Sequence, residues 1–187
     1  MNKNELRKII KGSLRDLTVP YKTTADKKIS ATILKLDEYK DAETVFVFVG
    51  TDDEIDTEAL IDTMLMDGKT VCVPLCKSPG KMEARKIESR DELAEGKYGI
   101  MEPIKSTPVV KPQEIDFAII PCVTCNKKGQ RLGHGGGYYD RYFEKLDTKT
   151  AIICREETMM AAIPTEAHDV TFDMVISERQ IYRNESL

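Results

Sequence analysis

Apolar positions fall into blocks whose period shifts between helical and extended spacing. Leu6, Ile9, Ile10, Leu14 and Leu17 recur at steps of three and four, which predicts an amphipathic helix over residues 3–17. Ala25, Ile29, Ile33 and Leu36 give the buried line of a second helix over 24–39. Thr44 to Gly50 is β-branched and aromatic without polar alternation, the pattern of a central strand buried on both faces. A helix over 57–67 follows, then a short strand, Val71 to Val73, ending at Pro74. After the Ser78-Pro79-Gly80 turn, Lys81 to Ile87 reads as a strand and 91–94 as a helical turn. Residues 105–111 read as an extended surface connection. Ile115 to Pro121 and Thr150 to Cys154 are further strands, separated by a helix over 138–146, and Phe172 to Ile176 is the last strand. Strand–helix–strand order implies a mostly parallel sheet flanked by helices, in one three-layer α/β domain spanning 1–187. Ligands of such sheets gather beyond the carboxyl ends of the strands, where the acidic stretch 51–57 falls.

Composition narrows the class. Of 187 residues, 32% are charged and 41% hydrophobic, as in a soluble globular protein. A net charge of −4 argues against a general nucleic-acid binder. The apolar run Val45 to Val49 is too short to span a bilayer, and a cytoplasmic monomer acting on small molecules is the expectation. Cys122 and Cys125 spell C-x-x-C, which can signal zinc or redox chemistry. With no second pair, and only His134 and His168 as histidines, a closed four-ligand zinc site would draw on scattered residues. Reduced structural thiols are expected for the five cysteines.

The densest chemistry lies in Gly129-Gln130-Arg131-Leu132-Gly133-His134-Gly135-Gly136-Gly137-Tyr138-Tyr139-Asp140-Arg141. Five glycines within nine residues let backbone approach a ligand without a Cβ between them. A glycine loop opening a helix offers free N–H groups and a positive dipole end, which suits phosphate, and Arg131 and Arg141 add charge. The plainer reading is a strand-to-helix surface turn. Neither Walker A nor Gly-x-Gly-x-x-Gly fits the spacing. On the first helix, Lys3 and Arg7 lie nearest the apolar edge and can point inward, whereas Lys11 and Arg15 belong to a solvated face. Glu54 can accept from ligand N–H donors, while Asp56 or Thr57 caps the following helix.

Arg-Leu-Gly-x-Gly-x-Gly-Tyr-Tyr-Asp-Arg resembles the signature of the 5-formyltetrahydrofolate cyclo-ligase family, and the likeness extends from Lys3 to Glu178. It implies a Rossmann-like fold and ATP- and magnesium-dependent closure of 5-formyltetrahydrofolate to 5,10-methenyltetrahydrofolate, through a phosphorylated formyl intermediate. Lys3-x-x-Leu6-Arg7 is similar to the family's N-terminal ATP motif. With Arg131, Gly133, His134, Gly135, Gly136, Gly137, Tyr138 and Tyr139 it implies the ATP site. The folate side is implied at Val49, Glu54, Met82, His134 and Tyr138, and magnesium at Asp140 and Asp169. Gly99-Ile100-Met101-Glu102-Pro103 resembles a further folate-wall segment.

Two departures stand against this likeness. Cys122, Cys125 and Asn126 replace the family's usual glycine, phenylalanine and acid, which at Cys125 removes ring area that can pack on substrate. Thr158 replaces a glutamine. These leave a non-catalytic folate- or nucleotide-binding relative as the alternative.

Overall fold

The computed structural model describes residues 1–184. Among the described residues there are five α-helices: α1 (Lys3–Asp16), α2 (Val19–Lys35), α3 (Asp37–Asp41), α4 (Glu58–Met66) and α5 (Tyr138–Phe143). The strands are β1 (Thr44–Val47), β2 (Thr70–Ser78), β3 (Lys81–Ile87), β4 (Leu93–Glu95), β5 (Met101–Pro103), β6 (Val109–Val110), β7 (Phe117–Ile120), β8 (Thr124–Cys125), β9 (Arg131–Leu132), β10 (Lys149–Ile153), β11 (Met174–Ile176) and β12 (Ile181–Arg183).

Eight strands form one sheet in the order β12-β11-β10-β7-β1-β2-β3-β6. The neighbours from β11 through β2 pair in parallel, and β12, β3 and β6 add antiparallel edges. The central strands β1, β7 and β10 are apolar on both faces because helices and loops cover both sides. One face carries Val45, Val47, Ile119 and Ile153 against α2 and α4, the other Phe46, Ala118, Ile120 and Ile152 against α5. The chain leaves β1 toward β2 and later returns on its other side as β7. The strand order therefore reverses between β1 and β7, and a crevice opens beyond their carboxyl ends.

Differences from the periodicity have local causes. In α1, Leu6 and Ile10 are buried while Ile9 is half exposed. The second helix begins at Val19 because Thr18 Oγ1 accepts the Tyr21 N–H at 3.2 Å and Pro20 suits a first turn. It breaks at the extended Leu36, and α3 follows. β2 runs through Pro74 to Ser78: its pairing with β1 stops at Cys72, so the missing N–H lies beyond that ladder. The 105–111 connection contributes the edge strand β6, and β12 follows the strand expected to be last. No helix among the described residues is long and apolar enough to cross a membrane.

Candidate active site

The segments following β1, β7 and β10 converge on a narrow cleft walled by Phe48, Asp53, Glu54, Cys122, Cys154 and Arg155. After β1 the chain folds back on itself at Gly50, where a Cβ would run into the Ile55 carbonyl. Gly50 N–H donates to Thr57 Oγ1 (3.1 Å), and the buried Thr57 hydroxyl donates to the Phe48 carbonyl (2.7 Å). Asp56, not Thr57, receives the Glu58 N–H at the start of α4 (2.9 Å). Glu54 lies clear of this capping. One of its oxygens accepts from the Thr51 N–H (3.0 Å) and hydroxyl (3.3 Å), and the other lies 3.2 Å from His134 Nε2. Two residues expected on the folate side are thus in contact across 80 positions of sequence.

A buried ion pair holds this loop in place. Arg155 donates to both Asp26 oxygens (2.8 and 2.9 Å) and to the Glu54 carbonyl (3.2 Å), while Asp26 accepts the Asp56 N–H (3.0 Å). Sequence reasoning missed this clamp. Asp26 lies on the buried line of α2 one residue after Ala25, and a carboxylate there was the available signal.

The glycine loop is gripped from both sides. Arg7 Nε donates to the Gly133 carbonyl (2.8 Å) and Arg141 Nη1 to the Gly136 carbonyl (3.4 Å). The Arg141 guanidinium also lies over Gly80 at the β2–β3 turn, where a φ of 75° disfavours any side chain. Gly135 and Gly137 have φ of 106° and 68°, and the Tyr138 ring folds back over Gly136. The helix after the loop has only six residues, with the chain turning at Glu144, so the site's positive field comes from side chains and loop N–H groups rather than a long helix dipole.

Arg131 is 8% exposed and its Nε and Nη1 have no hydrogen-bond partner. Its guanidinium sits 5.4 Å from the Tyr139 ring centre and 5.8 Å from that of Phe172. A Cβ on Gly133 would lie 2.7 Å from Nη1, so a side chain there would push the Arg131 head aside. Tyr139 forms the floor beneath this cation, packed on both core clusters, and burial drives its phenol pKa upward. Arg131 and Asp169 share a depression with Thr165 and Glu166. There Lys3 Nζ contacts both Asp169 oxygens (2.7 and 3.0 Å) and lies 3.5 Å from Glu166, so α1 brings both Lys3 and Arg7 inward while Lys11 and Arg15 face solvent. Burial opposes the Asp169 charge, but the Lys3 ammonium and the Glu166 N–H outweigh it and hold the carboxyl below its usual range. Asp140 accepts the Val170 N–H at 3.2 Å, which places both expected magnesium carboxylates at the 166–170 turn.

Other expectations are not met in this way. Val49 packs in the cluster with Val45 and Val47, and Met82 against the one with Phe46, so these two folate-wall candidates are not brought together. Cys125 is 0% exposed within the core, so a ring there would not reach substrate; that departure concerns packing. Asn126 Oδ1 accepts the Lys128 and Gln130 N–H groups (3.0 and 3.1 Å), an acceptor role that a carboxylate also fills. Thr158 is 4% exposed, and its carbonyl accepts from Thr124 Oγ1 at 2.6 Å.

Taken together, these features describe an α/β protein with a crevice at the strand-order reversal, a glycine loop that reaches it through His134, and a buried Arg131 whose Nε and Nη1 have no hydrogen-bond partner. A model of the 5-formyltetrahydrofolate cyclo-ligase family matches residues 1–178, and the chain belongs to that family. It is 29% identical to the probable 5-formyltetrahydrofolate cyclo-ligase of Schizosaccharomyces pombe, covering 98% of both chains. It is 30% identical to the 5-formyltetrahydrofolate cyclo-ligase of Haemophilus influenzae, covering 93% of this chain and 95% of that one. The NMR structure of Aquifex aeolicus 5,10-methenyltetrahydrofolate synthetase superposes with a TM-score of 0.87 at 26% identity, covering 100% of this chain and 95% of the other.

Proposed function

We propose that this chain is a ligase that uses ATP to close 5-formyltetrahydrofolate to 5,10-methenyltetrahydrofolate, forming a C–N bond and releasing ADP and phosphate. The observation that carries the proposal is Arg131. A buried guanidinium with unpaired N–H groups is costly unless an anion completes it, and it stands beside the glycine loop. A phosphate oxygen is the matching partner.

The formyl oxygen is a weak nucleophile and a poor leaving group, so phosphorylation by ATP activates it. N10 of the folate then attacks the formyl carbon, and phosphate departs with that oxygen. Positioning and charge neutralisation dominate such a reaction. Arg131, Lys3 and the N–H groups of 133–138 neutralise phosphate oxygens, while Arg7 and Arg141 fix the loop by its carbonyls. Glu54 and His134 orient the pterin, with Thr51 and Arg155 holding Glu54 in place. Two carboxylates at one turn suit magnesium, which keeps few protein ligands when phosphates supply the rest. Asp140 and Asp169 would hold it, and it would offset the charge of the phosphates.

The test is the near-ultraviolet absorbance of the conjugated methenyl product. A rise requiring 5-formyltetrahydrofolate, ATP and magnesium is expected. Arg131→Met should cut kcat/KM for ATP by at least about 10-fold, the scale of one charge-assisted hydrogen bond. It should leave stability equal or higher, because it removes an unpaired buried charge. A folded wild-type protein that forms no product overturns the proposal.

A further inference from the structure

Three of the five free cysteines are gathered at one point. The β7–β10 register pairs Ile120 with Ile152, and continuing it two residues sets Cys122 beside Cys154. Cys125 arrives from β8, and the three Sγ atoms all lie within 4.8 Å of one another. Cys125 and Cys154 are buried, while Cys122 is half-buried, and both Cys122 and Cys154 wall the cleft that Glu54 enters. Arg131, the cross-strand partner of Cys125, places a buried cation without a carboxylate partner beside the cluster.

We propose that Cys122, Cys125 and Cys154 form a three-thiolate site for a soft, thiophilic d10 cation, with zinc as the representative ion and its fourth position open to the cleft. Zinc sits about 2.3 Å from thiolate sulfur, so three sulfurs around one ion stand about 4 Å apart. Sulfurs within 4.8 Å need only contract by a fraction of an ångström each. Soft sulfur ligands select such ions over magnesium, so this site is chemically separate from the carboxylates at Asp140 and Asp169. Binding displaces the remaining thiol protons to solvent, and three thiolates with one divalent ion leave a single negative charge for Arg131 to balance.

The experiment is titration of the reduced full chain with zinc against a chromophoric chelator, with native mass spectrometry for stoichiometry. One zinc per chain is expected. Cys122→Ser and Cys154→Ala, checked for folding by circular dichroism, should each weaken binding by more than about 100-fold, beyond what outer-shell changes produce. Cys76→Ser, an exposed thiol outside the cluster, should not change it. Cobalt in place of zinc should give thiolate-to-metal absorption with the intensity of three sulfur ligands. Absent binding, or binding unchanged in both cluster variants, overturns the proposal. So does an air-exposed protein two hydrogens lighter that binds no zinc after reduction, which would assign the cluster to disulfide chemistry.

Discussion

Arg155→Lys isolates the clamp that holds the Glu54 loop. Arginine makes two parallel bonds to Asp26 and a third to the Glu54 carbonyl, all in a pocket where Arg155 is 5% exposed. Lysine keeps the charge but not the fork, so at least one bond to the carboxylate and the reach to Glu54 are lost. A hydrogen bond to a charged group contributes about 1.5–3 kcal/mol, and that is the expected loss in urea unfolding. For a chain of this size the midpoint temperature should fall by about 2–4 °C for each kcal/mol. Arg155→Met strands a buried carboxylate and should cost about 3–5 kcal/mol; the double variant with Asp26→Leu should recover part of that. If Glu54 positions the folate, Arg155→Lys also raises its KM more than it lowers kcat. A loss under about 0.5 kcal/mol for Arg155→Met, or strict additivity in the double variant, would refute the clamp.

Gly129→Ala should destabilise by about 1–3 kcal/mol in urea melts, since its φ is 79° and a Cβ would strike the Phe172 carbonyl. Glu54→Gln should raise the folate KM with the ATP KM unchanged, read from initial rates with each substrate varied. The Lys3–Asp169 pair has its own pH signature: Asp169 is depressed, so its contribution is complete above the ordinary aspartate pKa of about 3.9 and disappears as pH falls through the lower folded value. Lys3→Met should therefore reduce stability at neutral pH and make little difference at the acid end, measured by thermal melts across pH. Cys72, whose thiol pKa burial raises to about 12, should resist alkylation in the native protein while exposed Cys76 reacts, as read by peptide mass mapping.

Sequence periodicity reached the parallel sheet because each buried strand writes its own apolar run, as Val45 to Val49 and Ile115 to Pro121 do. The loop was legible because glycine has few other uses at that density, and Lys3 and Arg7 because helical spacing fixes which edge they occupy. Arg155 was not legible: its partner is 129 residues away, and nothing local distinguishes a clamping arginine from a surface one. Pro74 misled because strand ends are inferred from lost donors, and the ladder to β1 had already stopped. The thiol cluster required the β7–β10 register, a pairing that neither strand encodes alone.

The placement of α1 has a consequence in time rather than space. Its buried side chains, Leu6 and Ile10, pack with Val123, Leu132 and Ile163, and its Lys3 pairs with Asp169. During synthesis α1 must therefore wait for the much later segments around Val123, Leu132 and Ile163 before its apolar stripe is covered. Long loops make such closures slow and leave hydrophobic surface exposed meanwhile. The sheet can assemble from neighbours, but the arrangement around Lys3, Arg7 and the glycine loop forms only when α1 meets the segments from Val123 to Asp169, so it should trail the appearance of sheet structure on refolding.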